Sequence, residues 1–254
     1  MAFYDLPKEE RNSLVIEITN NITDNLNANL LNYILLYFAD EDTYIRKTAY
    51  LAIGKIYNRD IYLQNNCIAV LHKLLINEEP KIRQTTINAA GEIGKTDFEI
   101  VKHFFDTGLF DKNHSVRNAV IGSIKKIGEK NPEPMLQWAK QYLHHTDKEI
   151  RREVCHGIEL RGRTHPQDIL PLLKELQFDK TKRVRWTLVH VIGQIAYKKG
   201  CLETVLAEIN TWENQQLVKD AIAEIIDVHD RYRNFSFYTQ TEATTIIENN
   251  RTFR

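Results

Sequence analysis

Two sets of residues with chemically useful side chains recur at an interval of 34 residues along this chain. The sets are Arg152, Trp186 and Asp220, and His156, His190 and Glu224. An aromatic ring can anchor a partner, arginine binds anions, and a carboxylate or histidine can carry charge or protons. If the fold brings the members of each set together, they could form a binding or catalytic site.

A ladder of Ile-Arg and Val-Arg pairs follows the same interval after a first step of 37 residues, and it points to the elements that position these residues. The ladder arginines are Arg46, Arg83, Arg117, Arg151 and Arg185, and Lys219 takes the next position. A fixed period of about 20–50 residues is typical of repeat proteins, in which each unit packs only against its neighbours. The ladder therefore predicts a single repeat domain over residues 1–254.

Apolar spacing predicts two helices in each repeat. Counted from the ladder arginine, apolar residues recur at intervals of three and four on one face of the second helix. We predict a capping helix over residues 8–23, six helical pairs over residues 26–230 and a C-terminal cap or tail over residues 231–254, frayed from Asn249. The second helices are expected near residues 43–57, 80–95, 114–129, 148–161, 182–197 and 216–230.

The pattern of each repeat resembles the HEAT repeat. A turn residue such as Asp179 is followed by Val184-Arg185 and then by apolar residues such as Leu188 and Ile192. The resemblance covers residues 26–230 and implies an all-α, right-handed α-solenoid of about six helical pairs, with the second helices lining a concave groove. In that family the ladder arginine and the turn aspartate commonly pair between neighbouring repeats, so we expect the five ladder arginines to be structural.

The helical wheel separates groove-facing residues from the core. At 100° per residue, the first, fifth and eighth positions after the ladder arginine point away from the apolar face. The residues expected to contact a partner in the groove are Lys47, Gln84, Asn118, Lys125, Arg152, His156, Trp186 and His190. Trp186 is unusual there because tryptophan is highly buried on average. Either it meets a partner, or the C-terminal tail or a neighbouring repeat covers it.

Charge is unevenly distributed along a chain whose formal net charge is zero. Residues 111–200 hold 18 Lys and Arg against 10 Asp and Glu, while the segments on both sides are acidic. A basic middle could steer an anionic partner to one zone. Ordinary variation of a solvated surface explains the same pattern equally well.

Several kinds of site and compartment are disfavoured by the sequence. It has no phosphate loop, dinucleotide fingerprint, nucleophile elbow or recognised zinc spacing, so we expect no cofactor and no metal. No apolar run approaches the roughly 18–20 residues of a membrane span, and residues 1–11 do not resemble a signal peptide. Three scattered cysteines suggest a reducing compartment. We therefore expect a cytoplasmic protein with no membrane partner.

A second resemblance bears on function. The stretches that carry it are residues 116–133 with Leu136 and Trp138, and residues 165–176 with Val184-Arg185, Ile195-Ala196 and Trp212. They resemble the HEAT-like DNA alkylation-repair proteins, a group of alkylpurine DNA glycosylases, over about a quarter of the chain. The resemblance implies a groove that cradles duplex DNA, in which aromatic residues and a carboxylate of active members assist loss of a cationic alkylated base.

The catalytic residues of that family do not carry over directly. The sequence has no Trp-to-Asp pair one helical turn apart of the kind that we expect in active members. The helical wheel offers a substitute for that pair. Our candidate catalytic residues are Trp186 together with Asp220 or Glu224. The chain could equally be an inactive relative that only binds DNA.

Three functional hypotheses follow. The leading one is a solenoid that binds duplex DNA in the manner of alkylation-repair proteins, with or without glycosylase activity. The alternative is a non-enzymatic protein–protein interaction scaffold, the commonest use of HEAT arrays. A third is a chaperone or lyase-like partner of a modified protein. None of them requires a small-molecule cofactor.

Overall fold

Apolar residues at helical spacing fold nearly the whole chain into helices that bury their apolar faces against one another. The computed structural model describes residues 3–250 and contains fifteen α-helices, two short 3-10 helices and no β-strand in that range. The predicted all-α fold of helical pairs is thus confirmed. Within the same range, no helix combines the length and the apolar character that crossing a membrane requires.

The helices follow one another as pairs after a single N-terminal helix. They are α1 (Lys8–Ala28), α2 (Asn32–Ala39), α3 (Thr43–Arg59), α4 (Gln64–Leu75), α5 (Pro80–Gly94), α6 (Phe98–Leu109), α7 (His114–Lys130), α8 (Pro132–Tyr142), α9 (Lys148–Gly157), α10 (Glu159–Gly162), α11 (Pro166–Lys174), α12 (Lys182–Ala196), α13 (Leu202–Ile209), α14 (Gln215–Arg231) and α15 (Gln240–Asn249). The 3-10 helices span Phe3–Asp5 and Ile61–Leu63. The second helices of the repeats are α3, α5, α7, α9 with α10, α12 and α14.

Helix bounds differ from the predicted ones most clearly at two places. The capping helix α1 continues past residue 23 to Ala28 because Leu26 is still fully buried, and it ends at Asn29, whose left-handed backbone has a φ of 55°. The second helix of the fourth repeat is divided at Ile158, where the backbone leaves regular helical geometry with φ −84° and ψ −7°. Glu159 therefore starts a short helix of its own, α10.

The helices group into two compact units, the first ending at Pro134 and the second beginning at Met135. In the first unit, α3, α5 and α7 pack side by side, and each contacts the first helix of its own pair. In the second unit, α12 packs between α9 and α14. The side chains that project from these rows of second helices form the surfaces described below. A single domain over residues 1–254 stays a prediction.

A terminal helix covers one end of the core in each unit and buries only one of its own faces. In the first unit, α1 lies against α2 and α3 and buries Ile18 and Ile22. In the second, α15 packs on α14 through Ala243 and Ile247. The N-terminus of α15 is stabilised by a capping box between Thr239 and its third helical residue. Residues 251–254 of the tail expected to fray lie outside the described range.

Glycines eight positions after the ladder arginine allow neighbouring second helices to approach closely. A Cβ atom on Gly91 would lie 2.7 Å from the Cβ atom of Ser123. One on Gly193 would lie 2.6 Å from Cγ of Glu224, and Gly54 is equally confined. These separations are far inside the normal carbon–carbon contact distance of about 3.5–4.0 Å. Close helix packing therefore accounts for these glycines.

Gly91→Ala should destabilise the protein by about 1–3 kcal/mol because the added methyl group overlaps Ser123, which is buried on the facing helix α7. Gly122→Ala is the matched control, since nothing lies within 4 Å of a Cβ atom at that helical position. It should be neutral or stabilise by up to about 1 kcal/mol through helix propensity. Urea unfolding measures both changes, and equal losses would show that close packing at Gly91 is unimportant.

His229 is an ionisable residue buried in the second unit. Its side chain is fully buried on α14, and Nδ1 lies 2.7 Å from the carbonyl oxygen of Ile225. Nε2 is buried without a hydrogen-bond partner among the described residues. Burial lowers the pKa of His229, and the bond to Ile225 offsets only part of that effect. The folded protein therefore favours the neutral imidazole.

This depressed pKa predicts loss of stability in mild acid. Neutral His229 contributes its full stability above the unfolded-state pKa of about 6.5. That contribution is lost as pH falls through the lower folded-state pKa, because His229 binds a proton more readily in the unfolded chain. His229→Leu should reduce the pH dependence of the free energy of unfolding between about pH 7 and pH 5. Identical pH profiles for wild type and His229→Leu would contradict the assignment.

Candidate binding site

Each ladder arginine clamps the turn that precedes its own helix. The Nη1 atom donates to the main-chain carbonyl of the residue six positions earlier in all five cases. These acceptors are Asp40, Asn77, Asp111, His145 and Asp179. The side chains of the same turn residues accept a second bond, from the main-chain N–H two residues later. The turns are thus held from both sides.

Two ladder arginines also reach into the next repeat. Arg83 pairs with Asp111 through two parallel bonds, Nε to Oδ2 at 2.6 Å and Nη2 to Oδ1 at 2.9 Å. Arg151 pairs with Asp179 in the same way, at 2.5 and 3.1 Å. Both arginines lie 28 residues before their aspartates.

The expected pairing with a turn aspartate does not hold along the whole ladder. The residue 28 positions after Arg185 is Glu213. It accepts a hydrogen bond from Gln177 and pairs with Lys174 instead. The turn that follows Arg46 carries Asn77, which has no charge. The arginine-to-carbonyl bond is therefore the general feature of the ladder, and the ion pair is a local addition.

The paired aspartates are held in their charged form. Burial raises the pKa of Asp111, but hydrogen bonds from Arg83 and from the N–H of Asn113, with the charge of Arg83, lower it more, so the net pKa lies below its ordinary value. The pKa of Asp179 is lowered in the same way by Arg151. The side chains of Arg83 and Asp111 are only 8% and 12% exposed, so this pair lies largely out of water.

Asp111→Ala should cost about 3–5 kcal/mol of folding free energy, because it leaves the buried guanidinium of Arg83 without its counter-charge. Asp40→Ala is a matched control at the first turn of the ladder, since no arginine precedes it by 28 residues. It should cost only about 1 kcal/mol through the lost turn hydrogen bond. Chemical unfolding of both variants tests the difference, and equal costs would argue against a stabilising role for the ion pair.

A cleft of about 730 Å³ lies between α12 and α14 in the second unit. Its lining residues are Lys182, Arg185, Trp186 and Val189 from α12, and Asn214, Gln216, Leu217, Asp220, Ala223, Glu224 and Asp227 at the start of and along α14. Spacings of three and four residues place each set on one face of its helix. Trp186 is 71% exposed, so neither the described part of the C-terminal segment nor a neighbouring repeat covers it.

Carboxylates line the α14 side of this cleft. Arg231 pairs with Glu224, Nη2 to Oε1 at 2.9 Å, and with Asp227. Asp220 accepts a hydrogen bond from Nε2 of Gln216 at 2.9 Å and makes no ion pair within residues 3–250. Asp220 is exposed, and its charge is therefore available to a partner.

Arg152 does not line the cleft. Its guanidinium makes ion pairs with Glu149 at 2.9 Å and with Glu153 at 3.3 Å on its own helix, α9. The first set of residues identified in the sequence is therefore separated. Trp186 and Asp220 share the cleft, and Arg152 lies outside it.

The second set is brought together. The rings of His156 and His190 have centroids 6.2 Å apart, and Nδ1 of His190 lies 3.4 Å from Oε1 of Glu224. These contacts join α9, α12 and α14 across the second unit. A row of imidazole and carboxylate groups thus runs next to the cleft, because Glu224 belongs to both.

The groove residues predicted in the first unit lie on α3, α5 and α7. Lys47 and Asn118 are exposed, whereas Gln84 and Lys125 are half-buried. They remain predictions as partner-binding residues.

Lysines of the first unit gather around one carboxylate. Glu92 pairs with Lys95 and lies 3.9 Å from Lys126. Burial lowers the pKa of Lys126, as do the positive charges of Lys95 and Lys47, while Glu92 raises it. Burial is the main cause of the lowered pKa, and the charges of Lys95 and Lys47 add to it. Three lysines near one another are an arrangement that suits an anionic ligand.

The basic middle of the sequence is shared between the two units. Residues 3–134 hold 16 Lys and Arg against 18 Asp and Glu, and residues 135–250 hold 16 against 16. Neither described unit therefore carries a net positive charge. The acidic residues of α14 follow the basic segment in the sequence but lie beside basic residues of that segment, such as Lys182 and Arg185, in the structure.

Arg231 and Glu159 have places in this region that the sequence did not predict. Arg231 lies one residue beyond the predicted end of the repeats and organises Glu224 and Asp227. Its spacing of four and seven residues from them could have revealed it. Glu159 is the eighth residue after Arg151, so the helical wheel predicts that it faces the groove, but its side chain is only 2% exposed and lies against His156. That prediction is wrong because packing between helices buries the carboxylate.

Part of the sequence matches a known family. Residues 11–109, which run from within α1 to the end of α6, match the family described as non-SMC mitotic condensation complex subunit 1, Cnd1. The match spans less than half of the chain. No curated protein sequence matches this chain.

Solved structures share the fold at low sequence identity. AlkD2 from Streptococcus mutans superposes with a TM-score of 0.52 and 17% identity, covering 73% of this chain and 91% of its own. The TOG domain array of crescerin, described as regulating microtubules in the primary cilium, has a TM-score of 0.50 and 18% identity, covering 80% and 88%. Identities this low establish the fold alone.

The chain is an all-α protein of the HEAT-repeat α-solenoid class. The similarity to AlkD2 agrees with the weaker resemblance to the HEAT-like alkylation-repair proteins. A HEAT-like fold of this kind supports the binding of macromolecules.

Proposed function

We propose that this protein binds a segment of another protein through the cleft between α12 and α14, and that the partner inserts a positively charged side chain there. The observation that carries the proposal is the exposed ring of Trp186 in a cleft that also contains Asp220, Glu224 and Asp227. The sequence hypothesis of an interaction scaffold thereby becomes the preferred one.

The chemistry of the cleft favours a cation. The face of a tryptophan ring attracts ammonium and guanidinium groups by about 0.5–2 kcal/mol, more when water is excluded. Asp220 adds a carboxylate that makes no ion pair with the described residues, although Lys182 and Arg185 also line the cleft. Apolar side chains such as Val189 and Leu217 supply a surface against which the methylene groups of a lysine or arginine can pack.

An exposed tryptophan at the centre of a cleft also fits the energetics of protein interfaces. Truncation of a few central residues, most often Trp, Tyr or Arg, typically costs 2 kcal/mol or more of binding free energy. The free protein keeps the ring of Trp186 in water, and a partner that covers it would recover that apolar area. We therefore assign Trp186 the role of anchor residue.

Duplex DNA is the second candidate partner. The cluster of Lys47, Lys95 and Lys126 in the first unit supports it, because lysines neutralise phosphates. The balanced charge of both units and the carboxylates next to Trp186 oppose it, since DNA presents one negative charge per about 1.7 Å of helix axis. A glycosylase would use the same cleft to hold a cationic alkylated base between Trp186 and Asp220 or Glu224.

The first test measures binding of a fluorescein-labelled oligolysine peptide to the full chain by fluorescence anisotropy. Wild type should bind it in preference to an oligoglutamate peptide. Trp186→Ala and Asp220→Asn should each weaken binding about tenfold or more, the equivalent of about 1.4 kcal/mol. Phe178→Ala and Asp230→Asn are matched controls, because both residues are exposed in the second unit but do not line the cleft. They should bind like wild type.

A labelled DNA duplex and its alkylated form serve as the competing probes. Preference for duplex DNA over the peptide, with affinity that falls steeply with salt and weakens in Arg152→Ala with Lys125→Ala, would favour the DNA hypothesis instead. Release of alkylated base that disappears in Trp186→Ala would indicate a glycosylase. Binding of the peptide that is indifferent to Trp186 would reject the proposed site.

A further inference from the structure

Three potential metal-ligating side chains converge in the second unit, next to the cleft. They are His156 on α9, Glu159 on α10 and His190 on α12, and one nitrogen or oxygen atom of each lies within 4.8 Å of the others. Both histidines are half-buried, and Glu159 is almost fully buried. The three helices pack against one another, so the backbone holds these side chains in a common place.

The carboxylate of Glu159 is oriented by its neighbours. Arg163 donates to Oε1, and Nη2 of Arg163 also lies 2.9 Å from Oε1 of Gln194. The other oxygen, Oε2, lies 3.1 Å from Nε2 of His156. Arg163 therefore holds one oxygen of the carboxylate and directs the other towards the histidine.

Glu224 stands behind His190 in an arrangement common in metal sites. Metal-bound histidines almost always use one ring nitrogen for the metal and donate the other N–H to a carboxylate, carbonyl or water, which fixes the ring. Oε1 of Glu224 lies 3.4 Å from Nδ1 of His190 and 2.9 Å from Nη2 of Arg231. With Nδ1 directed to Glu224, Nε2 of His190 is left to bind a metal.

We propose that His156, Glu159 and His190 bind a divalent transition-metal ion such as Zn²⁺. Two imidazoles and one carboxylate form a ligand set that zinc takes where a fourth position stays open to water or a partner. Imidazole ligands favour zinc, nickel or copper over magnesium and calcium. The carboxylates of Glu159 and Glu224 offset the charge of the ion.

The spacing of the ligands is close to that of a tetrahedral site. Zinc bonds of about 2.0–2.2 Å place neighbouring ligand atoms about 3.3 Å apart. His156 and Glu159 have nearly this separation already, at 3.1 Å. The ligand atom of His190 lies within 4.8 Å of these two, so its side chain would have to move towards them to complete the site. No sequence motif predicts the site because its third ligand lies on a different repeat.

The test is isothermal titration of Zn²⁺ into the full-length chain after treatment with a chelator. We expect one ion per chain. His156→Gln and His190→Gln should each weaken binding about 100-fold or more, and Glu224→Gln, which only orients His190, about 10–100-fold. His144→Gln is the matched control, because His144 is an exposed histidine of the same unit that pairs with Glu175 and lies outside the cluster. It should bind like wild type.

Two further measurements make the result decisive. Co²⁺ should give the visible absorption of a four-coordinate site in wild type but not in His190→Gln, and circular dichroism should show that the variants keep their helices. Trp186→Ala should bind Zn²⁺ normally, which separates this site from the proposed peptide cleft. Absence of Zn²⁺ binding to the wild type, or binding that is the same in the two histidine variants, would overturn the proposal.

Discussion

The hydrogen bond from each ladder arginine to the carbonyl six residues earlier is the interaction on which the repeats depend. A charged donor satisfies a turn carbonyl that the helix leaves without a partner, and charge-assisted bonds of this kind are stronger than neutral ones. The bond fixes the angle at which the chain enters each second helix. At Arg83 and Arg151 the same guanidinium also binds the aspartate of the next turn, which links consecutive repeats.

Close packing of the second helices turns a sequence interval into a spatial one. Gly193 removes the side chain that would keep α12 and α14 apart, and Gly91 does the same for α5 and α7. Residues one repeat apart on such helices become lateral neighbours. This is why His190 meets Glu224 and why Trp186 and Asp220 line one cleft, although 34 residues separate the members of each pair.

Glu224 connects the proposed peptide cleft with the proposed metal site. It lines the cleft, faces His190 and accepts from Arg231, so its charge is shared between the cleft and the histidine row. Asp220 is the carboxylate beside Trp186 that makes no ion pair with the described residues. An aromatic ring and one open carboxylate select for a cation, whereas a surface built for DNA would concentrate positive charge.

The helices and their order were predictable from the sequence, because apolar periodicity, turn residues and the arginine ladder are local signals that agree with one another. The exposed position of Trp186 followed from the same periodicity. Tertiary structure alone decided which charges meet. Arg152 turns to carboxylates on its own helix, and Glu159 becomes a buried neighbour of His156 after α10 separates from α9. Both pairs have the three-residue spacing that makes side chains neighbours on a helix, but the spacing does not say which of the possible partners each side chain takes or that Glu159 is buried. Side-chain packing between helices decides both.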